Sequence, residues 1–181
     1  MVLSPEKIIE QTTNWIKSVV IDCNFCPFAA KAILKKSVRY IVKSNIDMDQ
    51  CLDALKEELL YLETDPETET SFIILSQDFK NFDDYLDLVE AADNLLVQED
   101  FDGIYQIASF HPDYCFEGSN NEDPANYTNR SIYPMLHILR EDSLTKALSL
   151  YPHPEKIPQD NIEFARQRGL QYMQLLRSAC M

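Results

Sequence analysis

The residues of this chain best able to do chemistry crowd into one stretch, Tyr105 to Glu141, where two of the three histidines, His111 and His137, flank Asn129 and Arg130. Imidazole can carry a proton or bind a metal near neutral pH. A guanidinium fork can hold a carboxylate or phosphate through paired hydrogen bonds, and Asn129 beside it adds a donor and an acceptor. A further group lies far upstream. Cys26 precedes Pro27 at the expected start of a helix, where the macrodipole and free backbone N–H groups favour thiolate. Cys26, His111 and His137 can therefore act as a nucleophile with its base. In a second version the same three residues ligate a divalent transition metal, leaving a position open for water or substrate. Either way, Asn129 and Arg130 would hold a small anionic substrate. No local ligand spacing supports the metal, which tilts the choice toward the metal-free version.

Each of these residues also has a structural reading. Cys26 can be a small buried hydrophobe between Phe25 and Phe28. His111 stands before Pro112, whose ring restrains it toward extended backbone, and it can cap a strand edge by hydrogen bonding. His137, between Leu136 and Ile138, suits a satisfied core histidine. Arg130 can pair with Asp113, Glu117 or Glu141, and Arg140 with Glu141. On these readings the protein is a non-catalytic binding or assembly protein with a structural Cys/His/Arg cluster. Substitution separates the classes: the catalytic reading expects Cys26→Ser and His111→Ala to abolish binding while leaving the melting temperature largely intact.

The elements that must position these groups are legible from caps and periodicity. Ser4 and Pro5 mark a helix start, and Ile8, Thr12, Trp15, Ile16, Val19 and Val20 share its face. A short helix is expected over Phe28–Lys35 and a longer one over about Asp49–Leu62. Another, marked by Phe82, Tyr85, Leu86, Val89 and Leu96, ends before Asp102-Gly103. Strands are expected at Val38–Val42, Thr70–Leu75 and Ile104–Phe110 from their β-branched and aromatic content. Pro134 is expected to open a helix toward Leu150, broken near Asp142, and Asp160 to cap a last helix toward Ser178. Alternating strands and helices predict an α/β fold over residues 1–181 as a single domain. Its sheet should be small, partly parallel and three- to four-stranded, covered by helices. A fourth, antiparallel strand fits around Asp113–Phe116.

In an open α/β sheet, ligands sit beyond the carboxyl ends of parallel strands. His111 follows the third strand at that edge, and helices beginning near Pro27 and Pro134 would bring Cys26 and His137 there. The pattern thus predicts that Cys26, His111, Arg130 and His137 converge.

Composition bounds the partners. The chain has 16 Lys and Arg against 30 Asp and Glu, for a net charge of −14, and no basic stripe, so no nucleic-acid partner is expected. Only three glycines occur, which excludes a glycine-rich phosphate loop. No signal peptide or long apolar run appears, so no membrane partner is expected and cytoplasmic residence is the expectation. Five irregularly spaced cysteines do not suggest a disulfide scaffold, and Cys23-x-x-Cys26 alone is a weak redox signal.

Three motifs carry a resemblance. They are Asn24-Phe25-Cys26-Pro27-Phe28-Ala29, Gln106 to Tyr114 around Ser109-Phe110-His111-Pro112, and Thr128-Asn129-Arg130-Ser131 running on to Arg140-Glu141. At these the chain resembles the bacterial and plant family catalogued as domain of unknown function 1415, over nearly its whole length. The resemblance implies no particular activity. It does place Cys26, His111, Asn129, Arg130, Pro134, His137, Arg140 and Glu141 on the family's motifs. Cys23 and Cys115 stand where that pattern typically has other residues, which argues against a dithiol or a Cys115 mechanism. Ile132 likewise replaces the proline that the pattern commonly has.

Overall fold

The first helix forms where its cap predicts, in a computed structural model that describes residues 3–181. Ser4 is extended and accepts a hydrogen bond from the Lys7 amide, and Pro5 opens α1 (Pro5–Trp15). The expected single helix then widens into a π-helical segment, Ile16–Ile21, that keeps Ile16, Val19 and Val20 buried. Next comes α2 (Ala29–Lys35), which buries no residue fully and stops at Lys36 in the left-handed region.

Four strands, β1 (Val38–Lys43), β2 (Thr70–Leu75), β3 (Tyr105–Phe110) and β4 (Met135–Arg140), form one mixed sheet in the order β1-β2-β4-β3. β1 and β2 pair parallel, while β4 runs antiparallel to both β2 and β3. The α/β class and the partly parallel sheet are therefore as expected, and β1, β2 and β3 share one direction. The crossover helices α3 (Met48–Thr64) and α4 (Phe82–Gln98) are both capped by side chains, Asp47 through a capping box and Asn81 through two amides. Each packs on the same face of the sheet, where Leu55 and Leu59 of α3 and Tyr85 and Leu88 of α4 meet Ile73, Leu75, Leu136 and Ile138. On the other face, Trp15, Ile16 and Val19 cover Phe72, Ile74 and Met135. Ala165 of α6 (Ile157–Arg168) and Met173 of α7 (Leu170–Ser178) join that cluster.

β4 corrects the helix expected from Pro134. Met and Leu carry no strong strand signal and are good helix formers, and Ile138 is the one β-branched residue of the run. An inner strand is covered on both faces, however: Met135 faces the α1 side and Leu136 and Ile138 face α3 and α4, all fully buried. Such a strand reads as an unbroken apolar run, without the alternation that would distinguish it from a helix. The fourth strand is therefore this one, and Asp113–Phe116 is loop. Helix α5 (Glu141–Ser149) begins only after β4, close to the expected break. The last expected helix is interrupted at Gly169, whose φ of 83° a side chain would resist, leaving α6 and α7 as separate helices.

Arg140 also departs from its expected pairing with Glu141. Its Nη2 donates to the carbonyls of Leu62 at 2.6 Å, Asp65 at 3.0 Å and Thr68 at 3.1 Å. A guanidinium thus closes the C-terminal end of α3, where free carbonyls and the helix dipole favour a cation.

Candidate functional site

A cavity of about 280 Å³ lies on the α1 face of the sheet, under α2 and α5. Its floor comes from Phe72, Ala108 and Phe110, and its side wall from Trp15, Ile16 and Val20. Neither covering helix has a fully buried residue, and an edge-on contact between Phe28 and Tyr151, 6.2 Å between ring centres, links their outer ends. Cys26, Thr70 and His137 supply polar groups to this mostly apolar space.

His137 sits between Phe72 and Ala108 in strand register, and the small Ala108 side chain leaves room beside it. Its ring stacks on Phe72 with centres 3.9 Å apart and planes 6° from parallel. Nε2 lies 2.7 Å from the Thr70 hydroxyl, which donates its only proton to the Ile138 carbonyl at 2.6 Å. Nε2 must therefore carry the proton and donate to Thr70. That fixes the tautomer and leaves Nδ1 as a lone-pair acceptor with no protein partner among the described residues. Burial holds the imidazole neutral, pushing its pKa down to about 3.

Cys26 is partly buried on the same cavity. It is not the helix cap expected, because α2 begins at Ala29 and its N-cap is Phe28. Burial raises the thiol pKa, overriding the opposite pull of the Phe28 and Ala29 amides. At pH 7.5, iodoacetamide should therefore alkylate Cys26 more slowly than an unperturbed cysteine. Peptide-resolved mass spectrometry checks this, and fast labelling would mean that the amides win.

His111 is elsewhere. Phe110 and His137 lie toward the α1 face, and His111, one residue further, turns to the α4 face between Phe82 and Tyr85. It is fully buried. Its Nδ1 accepts from the Asp113 amide at 3.0 Å, so Nε2–H donates to the Phe79 carbonyl at 2.9 Å. Both ring nitrogens are thus occupied by backbone, and Phe79 is held in the left-handed region at φ 51°. Desolvation keeps this imidazole neutral too.

Asn129 stays with His111. Its carbonyl accepts from the His111 amide, while its side chain donates to the Ser109 carbonyl and accepts from the Thr128 hydroxyl. Arg130 is buried at the loop's other side. Its Nε donates to the Tyr114 carbonyl at 2.8 Å, its carbonyl accepts the Trp15 indole N–H, and its guanidinium lies over the Tyr127 ring.

The fourfold convergence expected from sequence thus divides. Cys26 and His137 share a cavity, His111 and Asn129 brace the loop, and Arg130 anchors it to Trp15. Among the described residues, no group of three or more His, Cys, Asp or Glu side chains is placed to hold one metal ion. Thr70 and Asn126 were not anticipated. Thr70 looks like any strand-opening threonine, and only its pairing opposite Leu139 brings it to His137. Asn126 is fully buried and organises the loop by accepting from the Phe116 amide and donating to the Asn120 carbonyl. Its position before a tyrosine in a polar stretch gave no signal of that.

Among the described residues, no helix is long and apolar enough to cross a membrane. No curated protein and no solved structure matches the chain. A family model described as "Protein of unknown function (DUF1415)" matches residues 7–175, nearly the whole length, and the chain belongs to that family.

Proposed function

We propose that this protein binds a small amphipathic anion, with the apolar part in the cavity and the charged end at its mouth. The observation that carries the reading is the cavity itself: concave, mainly apolar, and provided with a few convergent polar groups, as small-molecule sites are. Lys31 and Lys35 stand one helical turn apart on α2, exposed, and both border the opening. They outnumber Glu69, the one carboxylate there. Inside, His137 Nδ1 would accept a hydrogen bond from the ligand and the Cys26 thiol would donate one.

The shared cavity also supports a catalytic version, with Cys26 as nucleophile and His137 as base. Burial weighs against it, since it disfavours both thiolate and imidazolium. Binding is therefore the favoured reading, and Cys26 and His137 are its polar contacts.

Anilinonaphthalene sulfonate, an apolar fluorophore with one anionic group, provides the test. Wild-type protein should enhance its fluorescence, and decanoate should compete. Ala147→Trp places an indole in the opening from α5, where no residue is fully buried, so the fold should survive. The dye affinity should fall at least about tenfold with the melting temperature little changed. Equal dye binding by the folded variant would remove the cavity from consideration.

A further inference from the structure

A second feature lies outside that cavity, at the junction of the Pro112–Pro134 loop and α7. Arg130 is only 8% exposed, yet no carboxylate reaches it within salt-bridge distance among the described residues. Arg177 approaches the same loop from α7 and donates its Nε to the Ser131 carbonyl at 2.7 Å, one residue beyond Arg130. It too has no carboxylate within salt-bridge distance among the described residues. Both guanidiniums are thus tied down through Nε to loop carbonyls, Tyr114 for Arg130 and Ser131 for Arg177. Their terminal nitrogens have no protein partner among the described residues, and none is among the sealed, unsatisfied buried atoms.

Two cations fixed on one loop, one buried and one partly buried, are costly without a counter-charge in contact. The Arg177 charge is disfavoured first by burial; Tyr127 and Asp113, the latter beyond contact distance, favour it, and Arg130 opposes it more weakly. The cost is conspicuous in a chain of net charge −14, where carboxylates abound. Elsewhere the same chain does pair its arginines: Arg166 with Asp123 at 2.6 Å and Arg39 with Glu58 at 2.9 Å. Guanidinium forks held by Nε, with free terminal N–H groups, suit an oxyanion that accepts several hydrogen bonds at once.

We propose that Arg130 and Arg177 form a binding site for a dianionic oxyanion of the phosphate-monoester class. Asn129, expected to share this role, instead spends its side chain on Ser109 and Thr128. The site is separate from the amphipathic cavity, and neither proposal rests on the other.

Inorganic phosphate is the probe, titrated calorimetrically into the full chain against sodium chloride of equal ionic strength. Phosphate should bind and raise the melting temperature, and chloride should do neither. Arg177→Gln, at a half-exposed position, should fold and lose at least about tenfold in phosphate affinity. Arg130→Lys should lose affinity as well, because an ammonium cannot reproduce the fork. Ala147→Trp, which blocks the other cavity, should bind phosphate normally. The proposal is overturned if phosphate acts no differently from chloride, if Arg177→Gln binds like wild type, or if Ala147→Trp abolishes the response.

Discussion

His111→Ala should destabilise the protein by roughly 3–4 kcal/mol, adding the loss of a fully buried ring to two backbone groups left without partners. The Phe79 carbonyl would lose its donor and the Asp113 amide its acceptor, both bonds being partly buried. The ring also fills the space between Phe82 and Tyr85, at centroid distances of 5.1 and 5.0 Å. Phe79 would then be free to leave its left-handed conformation, and the turn into α4 would loosen. Urea unfolding of both proteins measures the effect. His111→Gln, which can still donate and accept, should recover part of the loss. A change below about 0.5 kcal/mol, within the range of an ordinary surface substitution, would show that the clamp contributes nothing. The direction reverses the expectation that a catalytic His111 could be removed without thermal cost.

Stability should also fall as pH drops from about 6.5 to 5, and His137 should be the main cause. Its pKa is lowered by burial to about 3, against an ordinary value of 6.5. A group so shifted contributes its full stabilisation above the unfolded pKa and loses it progressively as pH falls toward the folded one. One pKa unit corresponds to about 1.4 kcal/mol, so by pH 5 the loss from His137 alone is about 2 kcal/mol. His111, shifted the same way by burial, adds to it with the same sign. Carboxylates held down by partners, such as Asp123 beside Arg166, begin to matter only below about pH 4. The window between pH 6.5 and 5 therefore isolates the histidines. His137→Gln keeps a donor toward Thr70 without titrating, and its stability should decline much less there, by only the part that His111 contributes. Urea midpoints at pH 7.5 and 5 decide it; an equal decline in the variant would assign the loss to other groups.

Much of the frame was legible because it rests on local rules. Ser4-Pro5 opened a helix, apolar residues at helical spacing over Asp49–Leu62 and from Phe82 to Leu96 marked two more, and Thr70–Leu75 was a strand from its composition. β4 was not legible, since its Met-Leu-His-Ile-Leu run carries no alternation once both faces are buried. That one miss displaced the site. As the first turn of a helix, His137 would have met His111 at the sheet edge. As a strand residue aligned with Phe72 and Ala108, it faces α1, while His111 falls on the opposite face. Strand parity decides the matter, and parity cannot be applied to a strand taken for a helix. Cys26 and His137 do border one cavity, because the segment leading into α2 and strand β4 both line it, and not because helix ends share an edge. Arg177 could not be anticipated: an arginine in the last turn of a helix is common for dipole reasons alone.

The strand order β1-β2-β4-β3 has a consequence for the chain as it is being made. β2, all of whose residues are buried, pairs on one side with β1 soon after both are synthesised. Its other side waits for β4, about sixty residues later, and β3 appears first without an adjacent partner. At ribosomal speeds that wait is on the order of 3–12 s. During it, Ile73 and Ile74 offer an unpaired strand edge, the kind of template to which another chain can add. Yield on expression should therefore respond more to slow synthesis between Leu75 and Met135 than to slow synthesis anywhere else, and co-translational holding factors should act on this interval.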